Sequence, residues 1–225
     1  MKLRFDALPI GVMALASFLA SGNAPQPQDP GGANSLVADV RQGTTFRFQI
    51  RPTGPLFVFR LTGDKEKNLI THIDVYLEGS PRPLQALESE MDEPPYRDAE
   101  YFEAVDLNFD GYEDVQLLIM RGVTGNRVYS HWLFDPKTDR FVRHQELDKA
   151  VNPIPDPATK QLKTFWNGGG TYTARVYHWE EGKLVLEREE KKDWVHEKEY
   201  FLKVIKERQN GKLVVVREEI IRRDP

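Results

Sequence analysis

Residues 106–114 read Asp-Leu-Asn-Phe-Asp-Gly-Tyr-Glu-Asp, with oxygen-bearing side chains at the first, third, fifth and ninth positions and a glycine at the sixth. Calcium takes six to eight oxygen ligands in a flexible shell, and a loop of this spacing turns alternate side chains toward one ion. Asp106, Asn108 and Asp110 are the first three candidate ligands. Gly111 permits the sharp turn after them, Tyr112 offers its backbone carbonyl, and Asp114 offers a carboxylate directly or through water. The helix-flanked form of this loop ends in a bidentate glutamate at the twelfth position. Leu117 stands there instead, inside the apolar run Val115–Met120, which reads as a buried strand. The motif is therefore expected to be a calcium loop feeding a strand. An Asp/Asn/Gly-rich turn between strands is the alternative, because those residues favour turns without any metal.

A second stretch, Asn167-Gly168-Gly169-Gly170-Thr171-Tyr172, joins two apolar runs. Consecutive glycines lose much backbone entropy on ordering, so they suit a sharp turn or close approach to another surface. Tyr172 offers area, rigidity and a polar tip, the properties of a binding anchor. A long hairpin turn with Tyr172 opening the next strand is the equal alternative. A phosphate cradle is not expected, since no Lys-Ser/Thr and no strand–loop–helix setting follows. Nor is a catalytic centre. There is no Gly-x-Ser-x-Gly elbow, and the scattered histidines, including His131, His178 and His196, lack zinc-site spacing. The chain is not expected to be an enzyme.

The elements that position these loops read as β almost throughout. Thr44–Ile50, Leu56–Leu61, Leu69–Leu77, Val115–Met120, Val128–Phe134 and Tyr172–Trp179 alternate or run apolar at strand length. Asn210-Gly211 marks a tight hairpin between Tyr200–Lys206 and Leu213–Ile221. Glu189–Glu199 is densely charged and reads as extended strand ends rather than helix, while Glu88–Tyr96 and Asn152–Ala158 read as loops. The sum is an all-β antiparallel meander of about a dozen strands, propeller-like, with a β-sandwich as the alternative.

The chain has 225 residues, enough for one domain with a core. Lys2 and Arg4, the apolar run Ile10–Leu19 and the small residues Ala20-Ser21-Gly22 suggest a secretory signal over 1–22. Residues 23–43, rich in Pro, Gly and Asn, read as a disordered linker, followed by a single all-β calcium-binding domain over 44–225. The absence of cysteine excludes a disulfide framework, thiol catalysis and a lipid-modified N-terminal cysteine. A net charge of −4 argues against nucleic acid and suits a basic partner. A periplasmic or secreted location is expected, with no membrane span after signal cleavage.

The order of several motifs resembles a known family. After Asp106–Asp114 come Gly-x-x-Gly-Asn-x-x-Tyr at Gly122–Tyr129 and Trp-x-Phe-Asp-x-x-Thr-x-x-Phe at Trp132–Phe141. Asn152-Pro153 and a glycine loop running to Tyr177-x-Trp179 follow. Over about residues 100–187 the chain is similar to the calcium-binding periplasmic immunity proteins of the Xanthomonas type IV secretion killing system. Those proteins are β-rich with a propeller-like topology and inhibit peptidoglycan-hydrolase effectors. The resemblance implies a calcium site at Asp106, Asn108, Asp110, Tyr112 and Asp114, and a lysozyme-like cell-wall hydrolase as protein partner. The glycine loop also looks like the Ser-Gly-x-x-Tyr loop of bacterial lysozyme inhibitors, with Asn167 in place of the serine and a longer spacing. A calcium-stabilised envelope-binding or scaffold module without inhibitory role is the alternative function.

Overall fold

The computed structural model describes residues 45–64, 69–88 and 102–222. The expected signal over 1–22, the linker over 23–43 and residues 89–96 of the expected Glu88–Tyr96 loop lie outside the described residues. What is described is all-β, in three antiparallel sheets whose strands follow one another in chain order.

Period-two patterning builds the first sheet. In β1 (Thr45–Phe48), Phe46 and Phe48 turn inward while Arg47 faces water. β1 pairs with β2 (Phe57–Asp64), which pairs with β3 (Leu69–Leu77) and then β4 (Gln85–Glu88). The second sheet is β5 (Phe102–Val105), β6 (Asp114–Arg121), β7 (Arg127–Asp135) and β8 (Arg140–Arg143). Phe46, Phe48, Phe57, Phe59 and Val75 of the first sheet share one core with Phe102, Leu117, Trp132, Phe134 and Phe141 of the second. Edge-on ring contacts stitch the two faces, Phe57 to Phe134 at 5.6 Å and Phe59 to Phe102 at 5.2 Å. Such pairs add about 0.5–1.5 kcal/mol beyond their burial.

The third sheet runs β9 (Ile154–Asp156), β10 (Gln161–Asn167), β11 (Tyr172–Glu180), β12 (Lys183–Val195), β13 (Tyr200–Gln209) and β14 (Lys212–Arg222). Its near half packs around Leu107, Leu147 and Leu162, with Leu133, Tyr177, Trp179 and Leu184 against them. The second sheet thus has cover on both faces. This explains why Asp114 through Ile119 of β6 are all buried. A strand covered twice reads as a continuous apolar run rather than an alternating one. Two sheets facing across a shared core fit the β-sandwich alternative, with a third layer outside; this packing does not establish a propeller.

The far half of the third sheet is held by charge. Glu189 bonds both Arg175 at 2.8 Å and Lys206 at 3.2 Å, and Glu190 bonds Lys203 at 2.8 Å and the Tyr172 hydroxyl at 2.6 Å. The charged segment after Arg188 continues as strand to Val195, as its neighbours suggested. Asn210 and Gly211 both take positive φ, the geometry of a tight primed hairpin turn. Two short strands escaped the sequence. β4 is only four residues long, and β9 carries Pro155 at a sheet edge, where a missing N–H is tolerated.

Candidate functional site

The acidic loop connects β5 to β6, and its side chains fold back onto its own backbone. The Asp110 N–H is shared by Asp106 Oδ1 at 3.2 Å and Asn108 Oδ1 at 3.1 Å. The Gly111 N–H donates to Asp106 Oδ2 at 3.0 Å, and the Tyr112 N–H to Asp110 Oδ1 at 2.9 Å. Asn108 Nδ2 donates to Asp110 Oδ2 at 2.9 Å. Phe109 and Gly111 take φ of 60° and 88°, so the chain turns twice through the left-handed region, which glycine enters without strain. Asp106, Asn108 and Asp110 are therefore gathered within one turn.

Asp114 stands apart from these three. It is fully buried, and both its oxygens are taken: Leu107 N–H donates to Oδ2 at 2.9 Å and Phe134 N–H to Oδ1 at 2.8 Å. Its carboxylate ties the start of the loop to β7. Burial pushes its pKa up to about 8 despite those two donors, and the charges of Asp110 and Asp106 push the same way. Burial likewise raises Asp106, with Asp110 adding to it. Glu113, absent from the sequence-derived ligand set, is raised by burial and by the charge of Asp106. Its N–H donates to the Ile50 carbonyl at 2.9 Å, fixing the loop's far side to the chain after β1. Glu113 was not among the residues singled out from the sequence, because its even-numbered place falls outside an odd-numbered ligand pattern.

The loop thus concentrates carboxylates that destabilise one another's charged forms. A divalent cation placed there would supply the positive charge such a cluster lacks. No group of three or more His, Cys, Asp or Glu side chains among the described residues forms a cation cage by itself. A shell here needs the Asn108 amide oxygen and the Tyr112 carbonyl beside the carboxylates. Hard oxygen donors of that kind suit calcium.

The loop is also anchored from the third sheet. Leu107 is fully buried, and its carbonyl accepts the Trp179 indole N–H at 2.8 Å. Trp179 lies near the end of β11, whose other end opens with Tyr172 at the glycine loop.

The glycine loop is the β10–β11 hairpin. Asn167 and Tyr172 oppose each other in register, and the Gly168 N–H donates to the Thr171 carbonyl at 2.9 Å. The turn Gly122–Asn126 at the end of β6 is bonded to it. Asn126 Nδ2 and Thr124 Oγ1 both donate to the Asn167 carbonyl, and Asn167 Nδ2 donates to the Thr124 carbonyl. A Cβ on Gly168 would meet Thr171 Oγ1 at 2.3 Å and the Trp166 ring at 2.4 Å, so any larger residue there must displace those side chains. Gly168, Gly169 and Gly170 are exposed. Tyr172 is not at the tip. It is half-buried on the sheet, stacked on Phe165 at 5.7 Å with its hydroxyl held by Glu190. Trp166, which sequence patterning would place as a core or sheet-packing aromatic, is exposed instead, with its ring against Gly168, and Val123 of the bonded turn is exposed as well.

His131 is fully buried, with its N–H and its Nδ1 on Asp148 Oδ1 at 2.9 and 3.3 Å. Arg143 Nε completes the pair at 2.7 Å from Asp148 Oδ2. This is a packed strand histidine. No helix of the described residues is long and apolar enough to cross a membrane.

No family model matches the chain, and no curated protein matches it. Among solved structures it is similar to one described as "Structure of a Xanthomonas Type IV Secretion System related protein". The identity is 20%, the TM-score is 0.55, and the match covers 81% of this chain and 98% of that chain. At that identity the likeness is one of fold.

Proposed function

We propose that this chain is a calcium-binding protein of the periplasm or of secretion that binds and inhibits a peptidoglycan hydrolase, and so acts as an immunity protein. The observation that carries the reading is the convergence of Asp106 Oδ1 and Asn108 Oδ1 on the single Asp110 N–H. That convergence gathers three oxygen-bearing side chains in one turn, where backbone N–H groups already hold them in place for an ion. The fold likeness to a protein related to a type IV secretion system supports an envelope setting.

In this reading Asp106, Asn108, Asp110 and the Tyr112 carbonyl hold the ion, with Glu113 beside them and Asp114 fixing the loop from within the core. Calcium supplies charge neutralisation. The chain's own residues do the rest. Asp114 holds Leu107 and Phe134 by their backbone N–H groups, and Trp179 holds the Leu107 carbonyl. The contact surface is the exposed loop Asn167–Thr171 with the turn bonded to it. Small residues there let the partner's surface approach closely, and Tyr172 stiffens the loop from below. The chain itself performs no catalysis in this account.

The test is clearing of a peptidoglycan suspension by purified lysozyme-like hydrolases of type IV secretion donors. The protein is expected to slow lysis by at least one of them in calcium and not in chelator. Unchanged lysis by every enzyme in calcium rejects the inhibitor reading and leaves the calcium-stabilised envelope module.

A further inference from the structure

Six strands end the three sheets, and one of them is unlike the rest. β1, β4, β5 and β8 have four residues each and β9 has three. β14 has eleven, and no strand among the described residues pairs with its outer side. Short edges are one of the ways proteins avoid pairing with other chains; a long edge bearing apolar residues is a template for another strand. Val215, Val216 and Ile220 of β14 are 52%, 42% and 55% exposed.

We propose that β14 pairs antiparallel with β14 of a second copy, about a two-fold axis at Glu218. The strand reads Val-Val-Val-Arg-Glu-Glu-Ile-Ile over 214–221. Successive residues of a strand point their backbone groups to opposite sides, so opposed residues in an antiparallel pair share that parity. The permitted axes therefore pass through a residue. With the axis at Glu218, Arg217 opposes Glu219 of the second copy twice over, and Val216 opposes its Ile220. An axis at Arg217 sets that arginine against itself and Val216 against Glu218. An axis at Glu219 sets that acid against itself and Arg217 against Ile221. An axis at Val215 sets Leu213 against Arg217, and one at Ile220 sets Glu219 against Ile221. Only the Glu218 register matches both the nearest and the next pairs beside the axis, Arg217 with Glu219 and Val216 with Ile220. Arg217 and Glu219 already lie together on one face, 3.1 Å apart and exposed. Val216 is the extra residue of a bulge, since Arg217 opposes Ile205 while Val215 opposes Lys206. Beyond it Arg217–Arg222 pairs regularly with Tyr200–Ile205. The bulge confines the new pairing to the segment centred on Glu218. Glu218 meets its own copy across the axis, and like charges directly opposite weaken a pair. The association is thus weak and concentration-dependent. It involves neither the acidic loop nor the glycine loop and stands apart from the proposed function.

Sedimentation equilibrium of the full chain from micromolar to millimolar concentration tests it. A monomer–dimer equilibrium is expected. Arg217→Glu should raise its dissociation constant on the order of tenfold, from two reversed cross-strand pairs. The double variant Arg217→Glu with Glu219→Arg should restore it, since both the pair within the strand and the pair between copies are rebuilt. Glu218→Gln should tighten it. A monomer throughout overturns the proposal, as does a dimer whose constant none of the three variants moves.

Discussion

The side-chain amide of Asn126 engages both backbone groups of Asn167, accepting from its N–H at 2.8 Å and donating to its carbonyl at 2.8 Å. The amide does for the end of β10 what a neighbouring strand would do, where β9 covers only Gln161–Lys163. Two loops from different sheets are made into one surface by this contact. Asn126→Ala strips Asn167 of its N–H partner in a part-buried site, a loss of about 1–3 kcal/mol. Amide exchange at Asn167 should accelerate, and that at Phe59 in the main core should not beyond the global change. Asn126→Asp should fall between, because a carboxylate can accept from the Asn167 N–H but cannot donate to its carbonyl.

Gly168 permits the Trp166 ring to lie across the loop. Gly168→Ala places a methyl group within 2.6 Å of Trp166 and Thr171. Overpacking of this kind costs about 1–3 kcal/mol. A lower denaturant midpoint is expected, with a shift in tryptophan emission as Trp166 is displaced. Gly182→Ala, in an open hairpin turn with φ of 75°, should strain the backbone without moving that emission.

His131 and Asp148 give stability a pH dependence of definite sign. Burial holds His131 below its ordinary value of 6.5, against the pull of Asp148. Burial pushes Asp148 up, but hydrogen bonds from His131 and Arg143 outweigh it and leave the carboxyl below 3.8. Both folded values lie beneath the unfolded ones, so the unfolded state takes up protons first as pH falls. The stability these two groups contribute is full above 6.5, declines below it through His131, and declines again below 3.8 through Asp148. His144, also lowered by burial, contributes in the same direction. Asp114, Asp106 and Glu113, raised by burial, act in the opposite sense: what they contribute grows as pH falls toward their unfolded values. The midpoint of the natural sequence relative to that of His131→Gln should therefore fall between pH 7.5 and 5, since the variant keeps every opposing group and lacks only the histidine; a difference independent of pH would contradict this.

Trp179 carries the link between the acidic loop and the third sheet. Trp179→Phe removes the donor to the Leu107 carbonyl and is expected to destabilise the fold by about 1–2 kcal/mol. It should also weaken calcium binding, because Leu107 then loses one of its two fixings. Thermal melts with and without calcium check this: the calcium-induced rise in Tm should be smaller in the variant.

Much of the fold was legible because its signals were local. Phe46 and Phe48 alternate with polar residues in a strand that buries one face, and Asn210-Gly211 names its own turn. Leu117 at the twelfth loop position was readable as strand because Val115–Met120 is apolar but for Gln116, as suits a strand covered on both faces. What escaped depends on pairing at a distance. β9 is a strand only because Ile154–Asp156 meets Gln161–Lys163, and its proline argued against it. Asn126 carried no visible sign that its amide would seat Asn167, forty-one residues on. Tyr172 read as an anchor at a loop tip, yet Glu190 and Phe165, both set by strand register, hold it on the sheet. The acidic loop was the reverse case: Asp106, Asn108 and Asp110 meet through bonds of two to four residues' span, so their gathering was written in the spacing.

Calorimetric titration of calcium into the purified protein tests the central claim most directly. One ion per chain is expected, and binding should disappear in Asp106→Ala with Asp110→Ala, while circular dichroism of that variant still reports an all-β fold. No binding by the natural sequence, or binding unchanged in the double variant, would contradict the account.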